Sequence, residues 1–409
     1  MEAHLADWIR DTQDGREAES ILRTCVHCGF CNATCPTYQL RGDELDGPRG
    51  RIYQIKQVLE GAGAGTSTQL HLDRCLTCMN CETTCPSGVR YGRLLAIGRT
   101  AVDARVKRPA SQRWSRRLLR GALTRRWIFD NALRIARAFR SLLPRGFRDK
   151  VAQQRAPGAW PKAVHARKVL LPDGCVQPAL LPSIDAATAR VLDALGVQAI
   201  VARRSGCCGA LDHHLNAHAA ALAAARRNID AWWPHIEAGV EAIVSNASGC
   251  GAMLKDYANL LRDDVAYAGK GACVAAMTCD LVEFLAPQTA QLLARVRVAS
   301  PAPRIAFHPP CTLQHAQKIR GRVEGLLTAL GAQLVLVADA HLCCGSAGTY
   351  SLLQPELSAE LRTRKLADLQ RDRPGMILSA NIGCLTHLES AAGVPVRHWI
   401  EWVDELLGS

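Results

Sequence analysis

The stretches Cys25-Val-His-Cys-Gly-Phe-Cys-Asn-Ala-Thr-Cys-Pro36 and Cys75-Leu-Thr-Cys-Met-Asn-Cys-Glu-Thr-Thr-Cys-Pro86 share the spacing C-x2-C-x2-C-x3-C-P. In such a run the first three thiolates bind three corners of one iron–sulfur cube, and the fourth, held before a proline, binds the other cluster. The spacing therefore predicts two [4Fe–4S] clusters with crossed ligands. Cys25, Cys28, Cys31 and Cys85 are expected to hold the first cluster, and Cys75, Cys78, Cys81 and Cys35 the second.

Three other uses of cysteine fit this pattern less well. A zinc site needs four ligands, commonly two C-x2-C pairs set further apart, and has no role for the third cysteine of each run. Disulfides are typical of secreted chains, and the start of this sequence is neither basic nor followed by an apolar stretch. Buried structural cysteines have no reason to recur at matched spacing.

Composition indicates a globular protein of a reducing compartment. The chain has 409 residues, 48% hydrophobic and 21% charged, which is enough for two or three domains. No apolar run of about 18 residues occurs, so we expect no membrane-spanning segment. Eighteen cysteines without an export signal indicate metal binding instead of disulfides. We therefore expect a cytoplasmic protein.

The net charge of +13 belongs almost entirely to residues 101–150, which hold thirteen Arg and two Lys against three Asp, or +12. Apolar residues recur there at helical spacing, at Ile128, Ala132, Ile135, Phe139 and Leu142. Three interpretations remain open: a helix packed on its own protein, peripheral contact with the cytoplasmic face of an anionic inner membrane, or docking to an acidic partner subunit. Because the charge is local, nucleic acid is not an expected partner.

The segment between the two cysteine runs is predicted to be helical. Pro48 suits the first turn of a helix that continues to residue 60, in which Ile52, Ile55 and Leu59 form one apolar stripe. A helical connection indicates the α-helical type of two-cluster ferredoxin domain, which we place at residues 1–100, with a basic helical linker at 101–164. The glycines of 61–65 follow a helix and no strand, so they predict a flexible linker and not a dinucleotide loop.

Residues 165–409 contain a tandem repeat. Each copy has four cysteines at matched places, which are Cys175, Cys207, Cys208 and Cys250 in the first copy and Cys311, Cys343, Cys344 and Cys384 in the second. The first three recur at an offset of 136 and the fourth at an offset of 134. A duplicated domain accounts for this regularity. We place the first copy at 165–300 and the second at 301–409.

Each copy alternates short β-branched runs with helical stretches rich in Ala and Leu, which predicts a parallel α/β sheet. The cysteines of each copy follow predicted strands, such as the run Gln333–Val337, and so are expected at the carboxyl edge, where open α/β sheets bind ligands. Trp232-Trp233-Pro234 predicts the end of a helix. The predicted fold class is α+β multidomain, with the α-helical two-cluster domain followed by a duplicated α/β cysteine-rich domain.

The pattern C-x31-C-C-G, closed by a cysteine about 40 residues later, resembles the cysteine-rich CCG domain of heterodisulfide reductase subunits. A tandem pair of these domains behind a two-cluster ferredoxin domain resembles the family of glycolate oxidase iron–sulfur subunits. The strings that carry this resemblance are Cys25–Tyr38, Asp46–Ile52, His71–Cys78, His308–Cys311, Cys343–Tyr350 and Asn381–Cys384.

The resemblance implies an electron-transfer subunit that is not catalytic alone. Flavin-containing partner subunits would oxidise glycolate to glyoxylate, and this chain would relay the electrons towards a quinone or another acceptor. The sequence itself has no flavin or nicotinamide fingerprint and no nucleophile motif, which agrees with a flavin on a partner and not on this chain.

The repeat departs from the fullest CCG pattern, which closes with C-x2-C, because Met253 and His387 stand at the last position of that motif. A five-cysteine noncubane cluster is therefore not expected. Four cysteines per copy could hold a further iron–sulfur cluster, with His387 as an added ligand in the second. The alternatives are an empty pocket and a redox-active thiol pair.

Three other functions stay open. The chain could serve a related lactate or glycerol-3-phosphate dehydrogenase in the same electron-transfer role. It could be a thiol–disulfide reductase of the heterodisulfide reductase type, which the missing closing cysteines disfavour. It could also be a scaffold whose clusters are purely structural.

Overall fold

The computed structural model describes residues 1–139, 141, 155–297 and 302–408. Leu142 of the predicted apolar stripe lies outside this range. Two compact units are present. The first comprises Met1–Arg117, His214–Asn216 and His341–Lys365, and the second comprises Leu118–His213, Ala217–Ala340 and Leu366–Ser409.

Helices joined by cysteine-bearing loops form the start of the first unit. They are α1 (Asp7–Arg10), α2 (Gln13–Thr24), α3 (Phe30–Ala33), α4 (Pro36–Arg41), α5 (Pro48–Leu59), α6 (Thr66–Asp73), α7 (Asn80–Thr84) and α8 (Tyr91–Arg105), with a 3-10 turn at Glu44–Asp46. The helix predicted after Pro48 is confirmed, since α5 begins there and buries Ile52, Ile55 and Leu59. These side chains join those of α2 and α8 in one apolar core.

The described part of the basic segment beyond residue 105 contains the helices α9 (Ala110–Leu123) and α10 (Arg126–Ala138). Several of its arginines pair with acidic residues of this chain: Arg108 and Arg116 with Asp73, and Arg120 with Asp212. The apolar stripe predicted from the helical spacing is largely exposed. Ala132, Ile135 and Phe139 face solvent, and so do Trp114, Leu118 and Trp127. Leu133, which is off the stripe, is the side chain that α10 buries.

Two four-stranded parallel sheets confirm the predicted duplication. Their strands lie in the order β2-β1-β3-β4 and β6-β5-β7-β8, so the two copies share one topology. The strands are β1 (Arg167–Leu170), β2 (Val197–Ile200), β3 (Ala242–Ser245), β4 (Thr278–Asp280), β5 (Arg304–His308), β6 (Gln333–Leu334), β7 (Met376–Ser379) and β8 (Val396–His398). In this topology the chain leaves the central strand in opposite directions, which creates a ligand-binding crevice at the carboxyl edge.

Helices connect the strands of each copy. In the first they are α11 (Gln177–Leu180), α12 (Pro182–Ala194), α13 (Ala210–His214), α14 (His218–Glu237), α15 (Ser248–Lys255), α16 (Tyr257–Leu260), α17 (Ala268–Met277), α18 (Leu281–Leu285) and α19 (Thr289–Leu293). In the second they are α20 (Arg322–Ala329), α21 (Tyr350–Leu353), α22 (Pro355–Gln370), α23 (Ile382–Glu389) and α24 (Trp399–Leu406). A short π-helical turn spans Thr312–Ala316.

The two copies also share a capping box at the junction between the last strand and the helix that follows it. Asp280 ends β4 and caps α18 in a capping box with Glu283. His398 ends β8 and caps α24 in the same way with Glu401. Both caps satisfy backbone N–H groups at a buried strand-to-helix junction. The duplicated sequence therefore preserves a hydrogen-bonding geometry, although one copy uses a carboxylate and the other an imidazole.

Two local predictions were wrong. The helix expected to end at Trp232-Trp233-Pro234 continues to Glu237, because Pro234 falls in the last turn and the fully buried Trp232 holds that turn on the core. The predicted strand over 333–337 is only two residues long, and Leu336 is exposed. Within the ranges described above, no helix has the length and apolar composition needed to cross a bilayer.

Candidate metal centres

The two cysteine runs adopt the same backbone path. His27 and Gly29 in the first run have positive φ, and so do Thr77 and Met79, fifty residues further on. Left-handed residues two apart wind the chain tightly, so that neighbouring thiols turn to one side. Such a conformation is unfavourable for Thr and Met, and strained backbone of this kind concentrates at functional sites.

The structure brings together the four cysteines predicted for the first cluster. Cys25, Cys28, Cys31 and Cys85 line one cavity, together with apolar groups that include Val26, Phe30, Pro48, Ile52 and Tyr91. Cys25 is buried, Cys31 and Cys85 are half-buried, and Cys28 is exposed. The fourth cysteine of the second run thus lies beside the first three of the first run.

A neighbouring cavity is lined by the four cysteines predicted for the second cluster, Cys35, Cys75, Cys78 and Cys81. Cys81 and Tyr91 border both cavities, so the two sets adjoin. Hydrogen-bond donors point at the sulfur of Cys75: the Thr77 N–H at 3.4 Å and the Tyr91 hydroxyl at 3.6 Å. Donors of this kind to ligand sulfurs are features that tune iron–sulfur sites.

The chemistry of these thiols fits a metal cluster. Burial, reinforced by the charge of Cys25, raises the pKa of Cys31 to about 11, and burial likewise raises the pKa values of Cys25, Cys35 and Cys81. Four thiolates packed this closely repel one another unless cations lie between them. Iron supplies that charge, because a coordinated thiol is deprotonated outright. The donor set therefore matches [4Fe–4S] ligation.

A buried ionic network supports the second set, and the sequence did not indicate it. Arg51 is 1% exposed, and its Nη2 lies 3.4 Å from the carboxylate of Asp46. Its Nη1 donates to the hydroxyl of Thr37 and lies 4.0 Å from the sulfur of Cys35. Asp46 also accepts from Arg74 at 2.9 Å and lies 3.0 Å from His71. Burial alone would lower the pKa of Arg51, but the neighbouring anionic groups outweigh it and raise that pKa. A fixed cation therefore lies beside the second set.

In the first CCG copy the four cysteines meet at the carboxyl edge of the sheet. Cys175 follows β1, Cys207 and Cys208 follow β2, and Cys250 lies in α15 directly after β3. Hydrogen bonds from the Cys175 and Cys208 thiols lower the pKa of Cys207, and Cys208 in turn contacts Cys250. The four sulfurs therefore form one cluster. Such a set could bind a metal or an iron–sulfur cluster, or act as redox-active thiols.

A polar clamp holds the Cys207–Cys208 loop. The amide of Asn228 on α14 donates to the Cys207 carbonyl at 2.9 Å and accepts from Gly206 N–H at 2.9 Å. The Tyr257 hydroxyl donates to the Cys208 carbonyl at 2.9 Å. Both side chains are fully buried. Sequence reasoning did not identify these two residues, because neither belongs to a cysteine motif.

The glycine of each Cys-Cys-Gly motif has a steric role. Gly209 and Gly345 have φ values of +90° and +89°. A Cβ at Gly345 would lie 2.6 Å from the Ser358 carbonyl, and one at Gly209 would lie 3.1 Å from the Ala221 carbonyl. Only glycine allows the loop both this conformation and this close approach to the following helix.

In the second copy, Cys311 and Cys384 are buried in the second unit, where the Asn381 amide donates to the Cys384 sulfur at 3.6 Å. Cys343 and Cys344 are buried in the first unit, and Gly345 N–H donates to Cys343 at 3.4 Å. Each follows the strand predicted for it. Met253, which replaces a closing cysteine in the first copy, packs in the apolar core.

Comparisons with known families agree with this architecture. A model of the 4Fe-4S dicluster domain matches residues 21–89. A model of the cysteine-rich CCG domain matches residues 169–255 and 305–389.

Full-length relatives share the whole arrangement. The chain is 53% identical over 408 residues to the glycolate oxidase iron-sulfur subunit of Escherichia coli K12, covering 100% of this chain and 99% of that one. It is 28% identical to the probable glycolate oxidase iron-sulfur subunit of Bacillus subtilis 168, covering 91% and 90%. Lactate utilization protein A of an Exiguobacterium strain is 26% identical and aligns with 56% of this chain.

Proposed function

Because the chain belongs to the family of glycolate oxidase iron–sulfur subunits, we propose that it carries electrons within a glycolate-oxidising complex. The observation that supports this most directly is the pair of adjoining four-cysteine cavities in the first unit. These lie within the match to the dicluster domain. The chain acts together with a catalytic partner and not alone.

The two cavities support the proposed ligands, in which Cys25, Cys28, Cys31 and Cys85 hold the first cluster and Cys75, Cys78, Cys81 and Cys35 hold the second. A [4Fe–4S] cluster accepts and releases one electron at a time. The protein supplies an apolar enclosure from Ile52 and Tyr91, hydrogen bonds to Cys75, and the fixed positive charge of Arg51.

On the partner subunit, glycolate loses two electrons and two protons when it is oxidised to glyoxylate. A flavin on the partner would accept both electrons, this chain would remove them singly, and the two protons would pass to solvent. Flavins couple two-electron and one-electron chemistry, which is why the partner needs one.

The CCG domains extend the electron path. Cys175, Cys207, Cys208 and Cys250 form a sulfur cluster suited to a further iron–sulfur group, and Cys311, Cys343, Cys344 and Cys384 are the equivalent set in the second copy. Support comes from the lowered pKa of Cys207, which favours a thiolate, the form that binds metal. Electrons leave through these domains to a quinone or another acceptor.

Peripheral contact with the inner membrane fits the basic helices. Trp127 and Ile135 on α10, and Phe139 directly after it, are exposed. The same helix carries the exposed Arg134. Apolar and aromatic side chains on a basic helix are typical of helices that lie in the plane of an anionic lipid surface. An anionic membrane is the occupant we assign to this face.

A reconstitution experiment tests the proposal. Flavin subunits purified without this chain, given glycolate and the natural acceptor, are expected to reduce that acceptor only when this chain is added. Full activity without it would refute the electron-transfer role. A donor screen with lactate and glycerol 3-phosphate on the same complex distinguishes glycolate from the related fuels.

A further inference from the structure

The first cysteine set has an open side. Cys28 is exposed, and apolar side chains surround it: Val26 is 69% and Phe30 is 62% exposed, and both line the same cavity as Cys28. Tyr53 on α5 is also exposed and meets the ring of His27 edge-on at 6.1 Å. We call Val26, Phe30 and Tyr53 around Cys28 the Cys28 rim.

The second set contains no exposed cysteine. Cys35 and Cys81 are buried and Cys75 and Cys78 are half-buried. The hydroxyl of Tyr350 donates to the carbonyl of Arg74, the residue directly before Cys75, at 3.1 Å. Burial raises the pKa of Tyr350, and the charges of Cys75 and Cys343 add to this effect. Tyr350 therefore lies close to the second cysteine set and to the Cys-Cys-Gly motif of the second copy, all within the first unit.

The exposure of the first set and the burial around the second set indicate the direction in which electrons cross the two cysteine sets. The first set adjoins the second through Cys81 and Tyr91, and the second adjoins Tyr350 and Cys343. The inner end reaches Cys343 of the second Cys-Cys-Gly motif, within the first unit. The Cys28 rim is the end at which a redox group outside the chain can come close, and electron transfer slows steeply with distance.

The rim has the chemistry of a protein interface. Exposed clusters of aromatic and aliphatic side chains mark interaction sites, and aromatic residues are enriched in interface cores. The ionic side chains on the flanking segments are paired: Arg49 with Glu44 at 2.6 Å and Arg23 with Glu19 at 2.7 Å. Because these nearby charges are paired, the Cys28 rim is better suited to contact with another protein subunit than to contact with an anionic membrane. The anionic membrane is assigned to the basic helix α10.

We propose that the Cys28 rim is the docking surface for the flavin-bearing subunit, and that electrons enter this chain at Cys28. This inference rests on the proposed function. Each electron leaves the reduced flavin of the partner and enters the site held by Cys25, Cys28, Cys31 and Cys85. The partner is oxidised and this chain is reduced.

Charge insertion in the rim tests the proposal. Phe30→Glu places a carboxylate in the expected apolar contact, and Leu70→Glu, at an exposed apolar position on α6 in the same unit, is the matched control. Both full-length variants are purified anaerobically. Iron per chain and reduction by dithionite report whether the sites are intact. Titration calorimetry with the flavin subunits and cluster reduction by those subunits plus glycolate report docking.

Phe30→Glu is expected to weaken association by about tenfold or more and to slow reduction by the partner, compared with wild type at equal iron content and equal reduction by dithionite. Leu70→Glu is expected to behave as wild type. Wild-type affinity and reduction rate in Phe30→Glu would overturn the rim proposal while leaving the proposed function intact. If wild type itself is not reduced by the partner, the proposed function fails, and the rim proposal fails with it.

A second variant covers the case in which Phe30→Glu does not assemble. Tyr53→Glu lies on α5, outside the cysteine run, and changes the same surface. Reduced affinity with intact iron would support the rim, and wild-type affinity would overturn it.

Discussion

Arg51 and Asp46 form an ion pair in which both side chains are almost completely buried, at 1% and 0% exposure. The pair lies beside Cys35, which comes from the first cysteine run but lines the cavity of the second set. A cation is therefore fixed where the second set would gain negative charge on reduction.

Replacing Arg51 should make the second site harder to reduce. Arg51→Gln removes a positive charge that stabilises the reduced, more negative state. We expect its midpoint potential to fall by on the order of 50 mV, since about 59 mV corresponds to a tenfold change for a one-electron couple. An EPR-monitored redox titration measures this. Arg23→Gln, at an exposed ion pair, should leave both potentials unchanged, and an unshifted potential in Arg51→Gln would contradict the account.

Pairs of cysteine substitutions distinguish crossed ligation from ligation within each run. Cys25→Ser with Cys85→Ser removes two ligands from one proposed cluster, whereas Cys25→Ser with Cys35→Ser removes one from each. We expect the first double variant to retain one intact N-terminal cluster and the second to damage both. Iron per chain and EPR spin counts measure how many N-terminal clusters each double variant retains. The opposite pattern would show that each run holds its own cluster.

Asn228 should be important for stability, because it satisfies the Cys207 carbonyl and the Gly206 N–H inside the core. Asn228→Ala leaves these groups without their partner, and we expect a loss of about 2–4 kcal/mol in the free energy of unfolding. Urea denaturation of the anaerobic protein measures it. Asn259→Ala removes an exposed side-chain contact to Asp256 and should cost far less. Equal costs would refute the clamp.

Asp280 predicts a pH dependence of stability. Burial raises its pKa from 3.8 to about 7, next to the Lys255–Glu283 pair. The unfolded chain loses this proton near pH 4 and the folded chain near pH 7, so folding takes up a proton between them. Stability should therefore fall as pH rises through this window, by at most about 1.4 kcal/mol per pH unit.

Asp280→Asn keeps an acceptor for the Val282 N–H and removes the titration. Between pH 5.5 and 7, the stability of this variant should depend less on pH than that of wild type. This range lies inside the window of proton uptake, roughly pH 4–7. Urea denaturation at several pH values compares the two, with the exposed Asp372→Asn as control. Parallel curves for wild type and Asp280→Asn would rule out this group as the source.

The exposed face of α10 predicts binding to anionic lipid. Trp127→Ala with Ile135→Ala removes two exposed apolar side chains and should weaken sedimentation with phosphatidylglycerol vesicles by about tenfold, with salt weakening what remains. Trp160→Ala, at another exposed tryptophan, is the control. Equal binding of the double variant and wild type, or equal binding to neutral vesicles, would exclude this face as a membrane contact.

Much of the architecture could be predicted from local patterns. Cysteine spacing, the Pro48 helix start and the matched offsets each depend on residues close in sequence or on simple repetition, and the matched sheets follow from them. The fates of Pro234 and of the strand after Gln333 could not be predicted, because packing around the buried Trp232 and exposure at Leu336 override local propensity.

The side chains that support the cysteine sets could not be predicted from the sequence for a different reason. Arg51 and Tyr350 lie in strings that carry the family resemblance and Asn228 lies in none, but no spacing in the sequence assigns a role to these three side chains. Their roles arise from contacts such as that between Tyr350 and Arg74, which are 276 positions apart. Only the folded chain brings them to the cysteines. The role of the basic segment also depended on the fold, since helical periodicity cannot show whether an apolar stripe is covered.

The most direct test of the central claim is rapid anaerobic mixing of the assembled complex with glycolate, while the EPR signals of this chain are followed. Glycolate is expected to reduce the sites held by the eight N-terminal cysteines before the acceptor is reduced, and only when the flavin subunits are present. Reduction of the acceptor at full rate, while those sites stay oxidised or contain no iron, would contradict it.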